Sequence, residues 1–204
     1  MADLPVKKIA VAGVLSAVSI VLGLTRLGFI PWFAGASLTI MHVPVIIGAI
    51  LEGPLVGAFI GFIFGIFSLL QAAIAPNGPV DTAFINPLIS VLPRVFVGPL
   101  AFLFYSLISG EGSALKKGRA VSVLREGAAI LSGAIIGSLV NSILVLGALG
   151  LFKVFPWPLI ISVLIANGPG EAIIAALLSL IIVSAWKRFP AKGSRARLAD
   201  DEES

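Results

Sequence analysis

The chain has 204 residues, of which 58% are hydrophobic and 12% charged, and its mean hydropathy is +1.12. A soluble domain is roughly half apolar and a quarter charged, so this composition excludes the ordinary globular class and makes lipid the natural solvent. A net charge of +4 and a pI of about 9.8 would direct a soluble protein to nucleic acid, but here the placement of the basic residues matters more, and the absence of cysteine excludes disulfides and thiolate metal sites.

A bilayer core about 30 Å thick takes roughly 20 apolar residues per helix. The hydrophobic runs predict six spans that use most of the chain. Lys7 and Lys8 precede the first, over 8–24, in the manner of a signal peptide. Ala34-Gly35-Ala36 lies too far downstream to serve as its cleavage site, so this span is expected to be retained. The second span, 38–51, is short. After a Glu52-Gly53-Pro54 turn come 54–74, 83–109, 124–150 and 158–186. The expected fold class is an all-α membrane protein: one six-helix transmembrane domain over 1–186 and a polar, disordered tail over 187–204.

Cytoplasmic loops are enriched in Lys and Arg, and this fixes the orientation. With six spans and a cytoplasmic N-terminus, Lys7, Lys8, Lys116, Lys117, Arg119, Arg125, Lys187, Arg188, Lys192, Arg195 and Arg197 all fall inside, 11 of the 14 basic residues. Arg26 and Lys153 fall outside and Arg94 lies in the membrane. Five or seven spans would put the two basic termini on opposite faces. Both termini are therefore expected in the cytoplasm.

Three connections then face outward, 25–37, 75–82 and 151–157. The first carries Trp32 and Phe33, the second Asn77 and Asp81, the third Phe155 and Trp157. Trp157 and Trp186 at span ends read first as interfacial anchors. Trp32, between Pro31 and Phe33, suits either a lid over a ligand or an ordinary interfacial loop.

Polar groups in lipid are costly and call for a partner or a function. The spans contain His42, Gln71, Asn86, Arg94, Asn141, Asn167 and Glu171. At 1.5 Å per residue Arg94 would lie about 16 Å below the outer surface, Asn167 about 13 Å and Glu171 about 20 Å. All but Glu171 fall at or above the midplane. That is the pattern of a cavity open outward and closed inward, whereas a pore would be polar through both leaflets. Arg94 has two readings, a structural ion pair with Glu171 or a bidentate contact to a ligand carboxylate. Pro93 frees a backbone carbonyl, and Asn167-Gly168-Pro169-Gly170-Glu171 is expected to interrupt the last span, as broken helices that line binding sites do. His42 suits a packing hydrogen bond or a proton relay.

Several chemistries are missing. There is no Gly-x-x-x-x-Gly-Lys-Ser/Thr phosphate loop, and one His without Cys excludes the usual zinc clusters. No Gly-x-Ser-x-Gly elbow accompanies His42. No metal, cofactor or catalytic residue is assigned. Small residues form patches, Ala12/Ser16 and Gly13/Ala17 in the first span and Gly57/Gly61/Gly65 in the third, which serve close packing within the chain or docking to another membrane subunit.

Two stretches carry a resemblance. Thr39-Ile40-Met41-His42-Val43-Pro44-Val45-Ile46-Ile47, followed by Glu52-Gly53-Pro54 and the glycine ladder, is one; Phe84-Ile85-Asn86-Pro87-Leu88-Ile89-Ser90-Val91-Leu92-Pro93-Arg94 is the other and the more specific. They resemble the substrate-binding (S) components of energy-coupling factor (ECF) transporters, in the branch that includes pantothenate and hydroxymethylpyrimidine carriers. The likeness extends over roughly residues 7–186. It implies a plasma-membrane protein that holds one vitamin or precursor in an outward pocket made by the outer loops and the outer ends of the last three helices. It also implies docking, through small residues of the first helix, onto a transmembrane coupling subunit driven by two cytoplasmic ATPases. Ala12, Gly13, Ser16 and Ala17 match that docking face loosely. Asn86, Arg94, Asn141, Asn167 and Gln71 are the expected ligand contacts, Trp32 and Phe33 the lid, and Asn77, Asp81 and Trp157 the rim. Pantothenate comes first because Arg94 could meet its carboxylate. An autonomous secondary transporter using His42 or Glu171 for a cation or proton, and an intramembrane enzyme, are the alternatives.

Overall fold

The computed structural model describes residues 6–25, 27–31, 37–76, 81–110 and 123–188. Trp32, Phe33 and Asn77, together with Arg26, the basic loop with Lys116, Lys117 and Arg119, and the tail from Phe189 onward, lie outside them. In chain order the elements are α1 (Val6–Leu24), β1 (Phe29–Pro31), β2 (Ser37–Thr39), α2 (Val43–Glu52), α3 (Pro54–Ile74), a 3-10 helix (Asp81–Ile85), α4 (Pro87–Ser90), α5 (Leu92–Ser109), α6 (Val123–Leu151) and α7 (Trp157–Arg188). Among the described residues five apolar stretches are long enough to cross a bilayer: α1, α3, the α4–α5 stretch Pro87–Ser109, α6 and α7.

The second span is different. α2 has ten residues, about 15 Å, half of a bilayer core. Eight of the ten are buried, and α1, α3, α5, α6 and α7 all pack on it. α2 is thus the central post of the bundle. Its N-terminal continuation is a short antiparallel hairpin, with Phe29 opposite Thr39 and Ile30 opposite Leu38. Non-helical backbone at membrane depth is tolerated where protein, not lipid, surrounds it. At the other end of α2, Gly53 (φ 101°) makes the left-handed corner and Pro54 opens α3 at its first position, where no N–H is needed.

The fourth span, expected as one helix over 83–109, is instead three pieces. Asn86 caps α4 by accepting the Leu88 N–H at 3.0 Å, and Pro87 sits at the first helical position. Pro93 then lacks the N–H that would have bonded the Ile89 carbonyl. The depth reckoned for a single straight helix therefore does not apply to Arg94. The last span departs in the opposite sense: α7 runs without interruption through Asn167-Gly168-Pro169-Gly170-Glu171, where a break was expected.

The glycine ladder packs within the chain. A Cβ on Gly57 would come 2.9 Å from the Cα of Gly98, one on Gly65 would come 2.6 Å from the Cα of Val91, and one on Gly61 would strike the Arg94 carbonyl. α3 and α5 therefore run antiparallel with their backbones in contact. Gly133 and Gly137 likewise seat α6 against Ala101 and Ile46.

One end of the bundle is charged. Lys7 Nζ lies 2.9 Å from Glu52 Oε1, tying α1 to α2. The Tyr105 hydroxyl donates to Glu126 at 2.9 Å, and Lys187 donates to both, joining α5, α6 and α7. Because α3 starts beside Glu52 and is antiparallel to α5, both clusters lie at the same end. The hairpin lies at the other.

Candidate functional site

Arg94 enters the bundle one residue after Pro93. Its Nη1 donates to the carbonyl of Ile89, the acceptor that Pro93 leaves without a helical partner. Pro93 and Arg94 thus act together: one frees the carbonyl and the other takes it up. The guanidinium lies over two rings, 5.1 Å from the centroid of Phe84 and 5.6 Å from that of Phe64, within cation–π range. Only 6% of the residue is exposed, and Nε is buried without a partner.

The ion pair with Glu171 is not formed. Glu171 Oε1 accepts the backbone N–H of Thr39 at 2.8 Å and Oε2 accepts the Ser142 hydroxyl at 2.7 Å. Among the described residues, no carboxylate pairs with Arg94. A buried cation without a counter-charge is the costliest feature of the bundle.

His42 stands at the start of α2, fully buried, with both ring nitrogens unpartnered. Ile46 packs on Gly137, so one turn toward the hairpin, about 6 Å, His42 and Asn141 come to the same level. Asn141 Oδ1 and Ser138 Oγ, on α6, are buried and unpartnered, and so is Asn167 Oδ1, one turn of α7 before Glu171. Buried polar groups are as a rule hydrogen-bonded, and each exception asks for a reason. Among the described residues the same condition elsewhere is confined to the single hydroxyls of Ser16 and Ser179, and Glu52 Oε1 faces Lys7. The imidazole, guanidinium and amide exceptions all fall in the hairpin half.

The other expected site residues are distributed as follows. Asn86 spends its Oδ1 on the cap of α4. Gln71 is half-buried near the hairpin-end terminus of α3. Asp81, half-buried, opens the 3-10 helix. Trp157, half exposed, begins α7 with its ring against Gly150. Trp32, Phe33 and Asn77 fall outside the described residues. Of the docking patch, Ala12 and Ser16 are buried in the chain's own core, whereas Gly13 and Ala17 face outward, with nothing within 4 Å of a Cβ built on Gly13. Phe64 and Ser138 carry no warning in the sequence, and Thr39 and Phe84 stand out there only as the first residues of the two stretches that carry the resemblance. Phe84 reaches Arg94 only because the chain between them is broken, and no helical period relates the two.

The family described as ECF transporter, substrate-specific component, matches residues 7–186, and the chain belongs to it. The pantothenic acid transporter PanT of Lactococcus lactis subsp. cremoris is 32% identical over 165 residues, covering 72% of this chain and 76% of that protein. The pantothenate transporter PanT of Leuconostoc mesenteroides subsp. mesenteroides is 43% identical over 75 residues, 35% of this chain and 37% of that protein. The chain is a multi-pass protein of the plasma membrane and the substrate-specific component of an importer.

Proposed function

We propose that this component binds pantothenate in the hairpin half of the bundle and delivers it to an ATP-driven ECF importer. The observation that carries the reading is the cluster of buried donors and acceptors without protein partners: Arg94 Nε, both nitrogens of His42, and the amide oxygens of Asn141 and Asn167. Pantothenate is a carboxylate joined through an amide to two hydroxyls, and it suits that set group for group. Its carboxylate supplies the counter-charge of Arg94, and its amide and hydroxyls meet the asparagines and the imidazole. Gln71 and Asn86 are further ligand contacts in this reading and Asp81 and Trp157 belong to the rim, while Trp32 and Phe33, expected as the lid, and Asn77, expected at the rim, fall outside the described residues. The names of the two relatives support the same ligand.

In this reading the short α2 and its hairpin make the sixth crossing, both termini are cytoplasmic, and the hairpin end faces outward. The domain ends near residue 186 and the remainder is a cytoplasmic tail. The chain binds and does not catalyse. Energy comes from two cytoplasmic ATPases acting through a transmembrane coupling subunit, which docks on the outward-facing Gly13 and Ala17 of α1.

Calorimetric titration of the purified protein tests the ligand. Pantothenate binds, and panthenol, in which an alcohol replaces the carboxylate, binds at least tenfold more weakly, roughly the worth of one charge-assisted contact. Absence of pantothenate binding refutes the proposal, and equal binding of the two removes Arg94 from the carboxylate.

A further inference from the structure

The β2–α2 corner runs from strand β2 through the non-helical residues Ile40 and Met41, and Leu38, Met41 and His42 are buried in the bundle. The corner ends on His42, whose side chain has no partner of its own. Something must hold this corner still if the imidazole is to meet a ligand in a fixed place. On the α1 side the Ser19 hydroxyl donates to the Met41 carbonyl at 3.3 Å and the Met41 side chain lies against Gly23, and beyond α1 the Ile40 N–H donates to the Gly28 carbonyl at 2.9 Å. On the α7 side there are two contacts, from consecutive residues. Leu38, fully buried, lies against Gly170, where a Cβ would be 3.1 Å away, and the next residue, Thr39, donates its N–H to Glu171. The second oxygen of Glu171 is held by Ser142 of α6, which fixes the direction of the carboxylate. Both oxygens are thus occupied by uncharged donors of the protein itself, and Arg94 has no part in it.

From this we infer that Glu171 is a positioning residue: it clamps the β2–α2 corner to α6 and α7, and through Thr39 it keeps His42 in place for the ligand. Gly170 serves the same seat by letting Leu38 approach the helix. The inference rests on the assignment of His42 to the ligand, but the clamp itself is measurable without any ligand. What matters is the reach and accepting capacity of the side chain, not its charge. Glutamine keeps both the length and an acceptor for the Thr39 N–H. Aspartate keeps the charge but is one methylene too short.

Amide hydrogen exchange of the ligand-free protein, together with pantothenate release rates, tests this. In Glu171→Ala and Glu171→Asp, exchange in 37–41 accelerates at least tenfold and release accelerates roughly ten- to a hundredfold, with association little changed. Glu171→Gln stays within about threefold of the parent in both. If the alanine variant does not fold, the aspartate variant carries the test. Unchanged exchange in 37–41 in the aspartate variant overturns the clamp. So does a glutamine variant as impaired as aspartate, since that would make Glu171 a charge and not a clamp. Failure of the parent protein to bind pantothenate would instead strike the proposed function and leave the exchange result standing.

Discussion

The two ends of this bundle solve the problem of polar groups in a membrane protein in opposite ways. At the charged end Lys7 meets Glu52, Lys187 meets Glu126 and Tyr105, and the Arg125 Nε donates to the Ile108 carbonyl at 2.6 Å. Each group finds its partner on a neighbouring helix, and the helices are stitched together. At the hairpin end Arg94, His42, Asn141 and Asn167 are all deeply buried, and each keeps at least one polar atom without a partner. The difference is not one of burial alone, since Tyr105 is also fully buried and yet bonded. It is one of complementarity. The charged end pairs its charges within the chain, whereas the hairpin end keeps charged and polar atoms without protein partners, which the proposed function assigns to a ligand. A buried unpaired polar group costs about 1–3 kcal/mol, and a charged one more, so the hairpin end stores free energy that the proposed binding would release.

The largest expected effect lies between the two ends, in the α3–α5 seam that holds both in place. Gly61→Val drives a side chain into the Arg94 backbone carbonyl, which cannot move without unseating the helix. The loss is about 3 kcal/mol or more and appears as a collapse of thermal stability in detergent, with no folded protein left to bind. A variant that melts like the parent would show that the seam is looser than drawn.

Next comes the substitution that separates the ends. Asn141→Leu replaces an unsatisfied amide by an apolar side chain of similar size. Ligand-free stability is expected to hold or rise by about 1 kcal/mol, while pantothenate affinity falls at least tenfold. Thermal unfolding with and without ligand reads both. Loss of stability in the ligand-free protein would mean that Asn141 belongs to the packing and not to the ligand.

The smallest effect is at the charged end. Tyr105→Phe removes the hydroxyl that bridges Glu126 and Lys187 and lowers stability by about 0.5–1.5 kcal/mol, a shift of a few degrees. Pantothenate affinity should be unchanged within error. A fall in affinity comparable to that of the Asn141 variant would couple the two ends and dissolve the contrast.

The spans were legible because lipid demands long apolar runs, and no soluble context competes with that pattern. The second span and the fourth were legible only in outline. α2 reads as a short crossing, yet it is the central post, because ten residues buried on nearly every side look in sequence like ten residues facing lipid. For the fourth, Asn86-Pro87 and Pro93 announce a start and a kink, but whether the chain continues as one helix depends on what satisfies the freed Ile89 carbonyl. Here Arg94 does so, and that contact cannot be read from residue types. Similarly, Pro169 looks like a break and is absorbed by α7.

The sequence by itself determined that the chain lives in a bilayer, roughly where it crosses, and which residues are too polar to be there without a reason. It also carried the family. Composition, charge placement and local motifs are properties of short segments, and the solvent acts on them directly. Only the tertiary structure decided which polar residues satisfy one another and which are left over. Arg94 and Glu171 are the clearest case, because opposite charges in the same membrane invite pairing on paper. Their partners are set by distances between helices far apart in the chain. There Glu171 turns to Thr39 and Ser142, and Arg94 lies between two rings with its Nε unpartnered.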